Sequence, residues 1–257
     1  MALDLQKISG LPISFDLKSL KLEFRDDFPF IKKSERSLEE LRPFLKNPEA
    51  KNGPDPVYYV WRCVHLKKDN EKVKAHNLCY DITLIPPGKI DGEFVKTAGH
   101  CHWLYPEIYE VLYGRAYFFI QSFINDKDFK NIKSVYLTEA EPGEKIIIPP
   151  GFSHNLINVF NKPLLTANLT NEKAIHDYAP YKNNHGASYY FLDNGNLIDI
   201  VKNPNYDSVP EIKKIRGKEY PEFGLTKNRS LYSSVNNLDK LRLLNYPKEF
   251  EGEWRNW

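Results

Sequence analysis

Cysteine is scarce in this 257-residue chain, and its three copies, Cys63, Cys79 and Cys101, form no CxxC pair and leave one over. That pattern suits a reduced, intracellular compartment. No apolar run reaches the length of a signal peptide or membrane span, so the chain is expected to be soluble and cytoplasmic, with no membrane partner. A charge bias is missing too: 36 basic residues stand against 34 acidic ones, for a net charge of +2. Its charged runs, such as Lys67-Lys68-Asp69 and Lys213-Lys214, are short enough to be solvated faces, and no nucleic-acid partner is implied. There is no internal repeat, no low-complexity segment and no long helical stretch through the centre.

What the chain has instead is short β-strands separated by turns. Residues 1–54 read as a lead-in, in which Leu11-Pro12-Ile13-Ser14-Phe15 predicts an edge strand and Ser37-Leu38-Glu39-Glu40-Leu41-Arg42 a short capped helix. Asn52-Gly53-Pro54-Asp55-Pro56 breaks the chain, and strands are predicted at 57–64, 78–85, 115–123, 134–137, 145–148, 154–159 and 164–169. Tyr189–Leu192 and Leu197–Val201, joined through Asp193-Asn194-Gly195-Asn196, predict a hairpin. The expected architecture is all-β, a closed antiparallel barrel or double sheet over residues 55–205. Residues 206–257 are polar with scattered aromatics (Tyr220, Phe223, Tyr232, Trp254, Trp257) and are expected to wrap the barrel or a neighbour.

Chemistry concentrates in two segments. The first is His100-Cys101-His102, four residues, Glu107, six residues, Gly114. On a strand His100 and His102 share a face while Cys101 points away, and after the break at Pro106 the alternation sets Glu107, Tyr109, Val111 and Tyr113 against Ile108, Glu110 and Leu112. The second is Gly143, five residues, Pro149-Pro150-Gly151, two residues, His154, three residues, Asn158. A lone histidine is more often a packed or surface residue than a ligand. Four candidate ligands at matched spacing reverse that expectation. His65, His76 and His185 match nothing and are read as surface residues.

These segments resemble the paired motifs of the cupin superfamily, HxH-x4-E-x6-G and G-x5-P-x-G-x2-H-x3-N. The resemblance implies a double-stranded β-helix, a jelly-roll barrel, with one divalent first-row metal held by His100, His102, Glu107 and His154. Fe2+ is favoured, and Mn2+, Ni2+, Co2+ or Zn2+ would also suit three imidazoles and a carboxylate.

Further residues narrow the likeness: Thr97-Ala98-Gly99-His100-Cys101-His102, Glu107-Ile108-Tyr109, Gln121, the Pro149 to His154 turn and His176-Asp177-Tyr178. In this order they resemble the cupin-type phosphoglucose isomerases of archaea over about residues 55–205, with Thr170 standing where that family tends to have tyrosine. The resemblance implies interconversion of glucose 6-phosphate and fructose 6-phosphate. It also implies Glu107, Tyr109 and His176 as catalytic residues, with Glu107 moving a proton between C1 and C2; a metal-assisted hydride shift is the alternative. Thr83, Thr97, the Gly99 amide and Tyr178 would cradle the phosphate, Tyr59 would line the pocket, and the enzyme would be a homodimer. Two other readings stay open: an Fe(II) cupin dioxygenase, or a non-catalytic sugar-binding cupin.

Overall fold

The computed structural model describes residues 2–25, 27–195 and 197–254. Three strands open the chain, β1 (Ala2–Asp4), β2 (Ile13–Asp16) and β3 (Lys21–Phe24), in an antiparallel sheet of their own. The expected edge strand is therefore corrected, because β2 lies between β1 and β3. Pro12 precedes it and removes no ladder donor, which leaves both sides of β2 free to pair.

The next strands are β4 (Lys32–Arg36), β5 (Tyr58–Arg62), β6 (Leu78–Ile85), β7 (Lys89–Ile90), β8 (Glu93–Phe94) and β9 (His100–Cys101). Then come β10 (Glu107–Tyr113), β11 (Ala116–Asn125), β12 (Asp128–Ala140), β13 (Lys145–Ile148), β14 (Phe152–Ile157) and β15 (Leu164–Asn171). Last are β16 (Tyr189–Asn194), β17 (Leu197–Lys202) and β18 (Lys213–Lys214). Two sheets build the barrel, in the orders β13-β10-β15-β6-β5-β4 and β18-β12-β11-β14-β9. The chain is predominantly β, with the two sheets of the expected jelly-roll barrel facing each other across one core. The helix expected after Ser37 is present as the single turn Leu38–Leu41, closed by a capping box between Ser37 and Glu40. Gly195 turns the β16–β17 hairpin at φ +69, while Asn196, and Trp257 of the tail, lie outside the described residues.

Away from its exposed edge strand β4, the six-stranded sheet is covered on both faces, and β6 at its interior has no exposed position. Its inner side carries Val60, Ile85, Val111 and Ile146 in a cluster shared with Phe118, Ile120 and Leu156 of the opposite sheet. Its outer side carries Trp61, Ile82, Leu84, Ile108 and Leu112, and these pack against both ends of the chain: Leu11, Ile13 and Phe15 from the start, Leu231, Leu241 and Leu244 from the tail. Each fully buried side chain of this kind contributes about 1.5–3 kcal/mol, so the tail is held by its own leucines although its sequence shows no period.

Two local expectations change. The β10 ladder slips between Val111 and Tyr113, and the bulge turns Tyr113 out of the face expected for it, onto the ring of Phe15 5.9 Å away. The expectation of reduced thiols also fails, because Cys63 and Cys79 form a disulfide and only Cys101 is free. β5 and β6 are antiparallel neighbours, so the chain between the two cysteines, 16 positions apart, closes into a loop that brings their Cα atoms to 4.6 Å.

Candidate metal centre

Ring by ring, the site follows from pairing. His100 on β9 lies opposite His154 on β14, which puts two imidazoles side by side across a sheet edge. The chain leaves β9 after Cys101, whose side chain is fully buried away from the site, and His102 returns to it with its Nε2 3.0 Å from that of His100. His102 Nδ1 lies 2.9 Å from the carbonyl of Ile175. A carbonyl only accepts, so Nδ1 carries the proton and Nε2 presents a lone pair.

Glu107 opens β10 immediately after Pro106 and is completely buried. Its Oε1 accepts a 2.7 Å hydrogen bond from Asn168 Nδ2. Its Oε2 has no such partner and faces three imidazole nitrogens, His154 Nε2 at 3.0 Å, His102 Nε2 at 3.3 Å and His100 Nε2 at 3.6 Å. Burial alone would raise this carboxyl, but the three imidazoles hold it well below the usual carboxylate range. Burial, with the neighbouring His154, pushes the His100 imidazolium well down, so that ring is neutral. The donor set fits a divalent ion: separations of 3.0–3.6 Å are those spanned by ligand pairs around a metal with bonds of about 2.0–2.2 Å. His100, His102, Glu107 and His154 are thus brought together as the sequence predicted.

The remaining expected residues fall into three groups. Tyr109, Thr83, Thr97, Gly99, His176 and Tyr178 line one cavity that also contains His100 and Glu107. Tyr109 places its hydroxyl 3.1 Å from His154 Nε2, and burial followed by the charge of Glu107 keeps that phenol protonated. Thr97 Oγ1 accepts from the Leu156 amide at 3.0 Å. Gly99 has φ +76, and a Cβ there would lie 2.8 Å from the Tyr181 ring, so both conformation and space require glycine. A backbone bridge between Cys101 and Asp177 gives 176–178 a strand-like alternation. It sends Asp177 to Trp103 Nε1 at 2.8 Å and leaves His176, 4.5 Å from the ring centre of His100, stacked on Tyr178 within the site. Burial, helped by His102, lowers His176 to about 4.

Tyr59 is a correction. Its neighbours Tyr58 and Val60 line the cavity, and strand alternation sends Tyr59 to the outer face, beside Trp61 at 6.3 Å and under the Lys33 ammonium at 4.2 Å. Gln121 sits elsewhere, bonded to the Ser188 amide and the Tyr206 hydroxyl. Thr170 donates to the Pro106 carbonyl and so steadies the start of β10. Three polar lining residues were not anticipated: Tyr58, Arg62 and Asn168. Period two along β5 would have revealed the first two, and Asn168 is the partner of Tyr109 across β15 and β10, a register that spacing alone does not supply.

With this geometry in place, the relatives can be compared. Glucose-6-phosphate isomerase of Thermococcus onnurineus (strain NA1) is 29% identical over 184 residues, 69% of this chain and 89% of the relative. The enzymes of the same name from Thermococcus litoralis and Pyrococcus furiosus are 27% and 25% identical, each over 68% of this chain and 88% of the relative. An oxalate oxidase structure with the substrate analogue glycolate aligns over 37% of this chain and 42% of its own, at 19% identity and a TM-score of 0.31. The family model described as glucose-6-phosphate isomerase (GPI) matches residues 35–211, a span that contains every residue of the metal centre and its cavity, and the chain belongs to that family.

Proposed function

We propose that this chain interconverts glucose 6-phosphate and fructose 6-phosphate at the His100, His102, Glu107, His154 centre. One observation supports it above others: the buried carboxylate ringed by imidazoles shares a single cavity with the hydroxyls of Thr83, Thr97 and Tyr178 and with Gly99. A sugar phosphate needs those two ends together, one for the reacting carbons and one for the ester.

A divalent ion bound there would act as a Lewis acid on the C1 and C2 oxygens. The chain's own residues do the rest in this reading. Glu107 carries the proton between C1 and C2, its carboxylate oriented by the hydrogen bond that Asn168 donates to Oε1. With His154 Nε2 given over to the metal, the protonated Tyr109 hydroxyl 3.1 Å from that nitrogen is free to donate to one of the sugar's oxygens. Neutral His176 beside Tyr178 closes one wall and holds water away from the reacting carbons. Fe2+ is the metal we favour. The same reading holds the protein to be a cytoplasmic homodimer built of a lead-in (1–54), a barrel (55–205) and an extension (206–257). The Cys63–Cys79 bridge does not by itself place it outside the cell, since disulfides persist inside hyperthermophiles. No helix among the described residues is long and apolar enough to cross a membrane.

The test is a coupled assay: fructose 6-phosphate is supplied, and glucose 6-phosphate is read through NADP reduction by its dehydrogenase, before and after chelation and metal add-back. Metal-dependent turnover is expected. Absence of turnover with every reconstituted divalent metal would refute the reading.

A further inference from the structure

The neutral donors assigned above leave a dianion's charge unanswered, yet the Arg62 guanidinium lines the same cavity and that of Arg36 stands behind its tyrosines Tyr58 and Tyr178. Arg62 projects from the end of β5 into the lining that contains Thr83, Thr97 and Tyr178. Arg36 on β4 lies across from Tyr58, donates from Nε to its hydroxyl at 3.2 Å and holds its guanidinium 5.8 Å from the Tyr178 ring centre. Arg36 is thus linked to the two tyrosines, Tyr58 and Tyr178, that share the cavity lining with Arg62. We propose that Arg62, supported by Arg36, forms a cationic subsite that takes the phosphoryl group of the substrate. The inference rests on the sugar-phosphate reading of the site.

The acidic groups around these arginines do not cancel the subsite. Arg36 has Glu40 3.8 Å away, on the exposed side. Arg62 gives Nη1 to the buried Asp81 at 2.5 Å, and Asp81 is itself held by the Cys63 amide at 2.8 Å. A guanidinium carries five N–H donors in a planar fork, so one carboxylate contact aims the group and leaves donors for phosphate oxygens. Arg62 keeps about a third of its side-chain surface open, at 34%, while Asp81 is sealed at 4%. Asp81 therefore serves as a brace for Arg62, and the arginine faces the ligand. The Cys63–Cys79 disulfide ties together the strand ends that bear the two residues.

The test uses the metal-loaded full chain, with 6-phosphogluconate as a phosphate ester that cannot be isomerised and gluconate as its unphosphorylated control. Arg62→Met alone would strand a buried Asp81 carboxylate, so the R62M/D81N double variant is measured beside it, together with Arg36→Met and Arg62→Lys. In R62M/D81N, 6-phosphogluconate should bind roughly 10- to 100-fold more weakly, the loss expected for a charged hydrogen-bond partner, and the KM for fructose 6-phosphate should rise in parallel while kcat stays within about threefold. Arg62→Lys should recover part of the affinity, and Arg36→Met should give a smaller loss. Unchanged ester binding in the double variant, or equal weakening of ester and gluconate, would overturn the subsite. Because binding is read without turnover, a failed isomerase assay and a failed phosphate subsite remain separate results.

Discussion

Asn168 and Glu107 are joined side chain to side chain across β15 and β10 by a 2.7 Å hydrogen bond, and this single contact decides which carboxylate oxygen faces the three histidines. Groups that orient a ligand commonly influence metal affinity by 10- to 100-fold. Asn168→Ala should therefore lower metal affinity by roughly that factor, measured by competition with a chromophoric chelator, and turnover should fall with it. Full metal affinity in the variant would mean that the histidines alone fix Glu107.

The path of the migrating hydrogen is open to a direct measurement. If Glu107 carries a proton between C1 and C2, the reaction run in D2O should place deuterium in the product, because a carboxylic acid exchanges with solvent during some turnovers. Product free of deuterium at every extent of reaction would favour the hydride shift. Glu107→Gln should lose both metal retention and turnover.

Strand alternation makes a paired prediction at neighbouring tyrosines. Tyr58 lines the cavity and Tyr59 lies on the outer face. Tyr58→Phe should raise the KM for fructose 6-phosphate several-fold, about the worth of one hydrogen bond, whereas Tyr59→Phe should leave KM and kcat as they are. The reverse result would place β5 in the wrong register.

Lys145 and Glu110 tie the tail to the barrel from inside. Lys145 Nζ lies 2.8 Å from Glu110 Oε1 and donates to the carbonyls of Gly143, Thr226 and Arg229, while Glu110 Oε2 accepts from the Leu231 amide at 2.8 Å. Breaking a buried pair by removing one partner costs about 3–5 kcal/mol. Lys145→Met should lose stability of that order in urea unfolding, with the tail the first segment to gain hydrogen exchange. A change below about 0.5 kcal/mol would place the pair among ordinary surface contacts.

Thiol chemistry checks the disulfide. Burial, then Asp177, pushes the Cys101 thiol up, so the reactive thiolate is scarce near neutral pH and grows only as pH rises towards that elevated value. A thiol reagent should find no fast group in the native protein, one after unfolding, and three after unfolding with reduction. Three thiols before reduction would show that Cys63 and Cys79 are unpaired.

Much of this protein was determined by local pattern. The spacing of His100, His102, Glu107 and His154 picked out four side chains that meet at one point, and runs such as Leu78–Ile85 and Lys145–Ile148 named their strands to the residue, because a period of two and a ligand spacing are properties of neighbouring residues in one chain. What the sequence could not decide depends on which strands become neighbours. The β10 bulge that turns Tyr113 outward, the central place of β2, the Cys63–Cys79 bond and the meeting of Asn168 with Glu107 all arise from pairing between distant segments. Arg62 belongs to both kinds: its inward face was legible from alternation along β5, but only the packing of β6 and β4 beside it set Asp81 and Arg36 where a phosphate subsite would need them. The physical reason is that register between strands is set by the burial of whole faces and by turn geometry, which no window of consecutive residues contains.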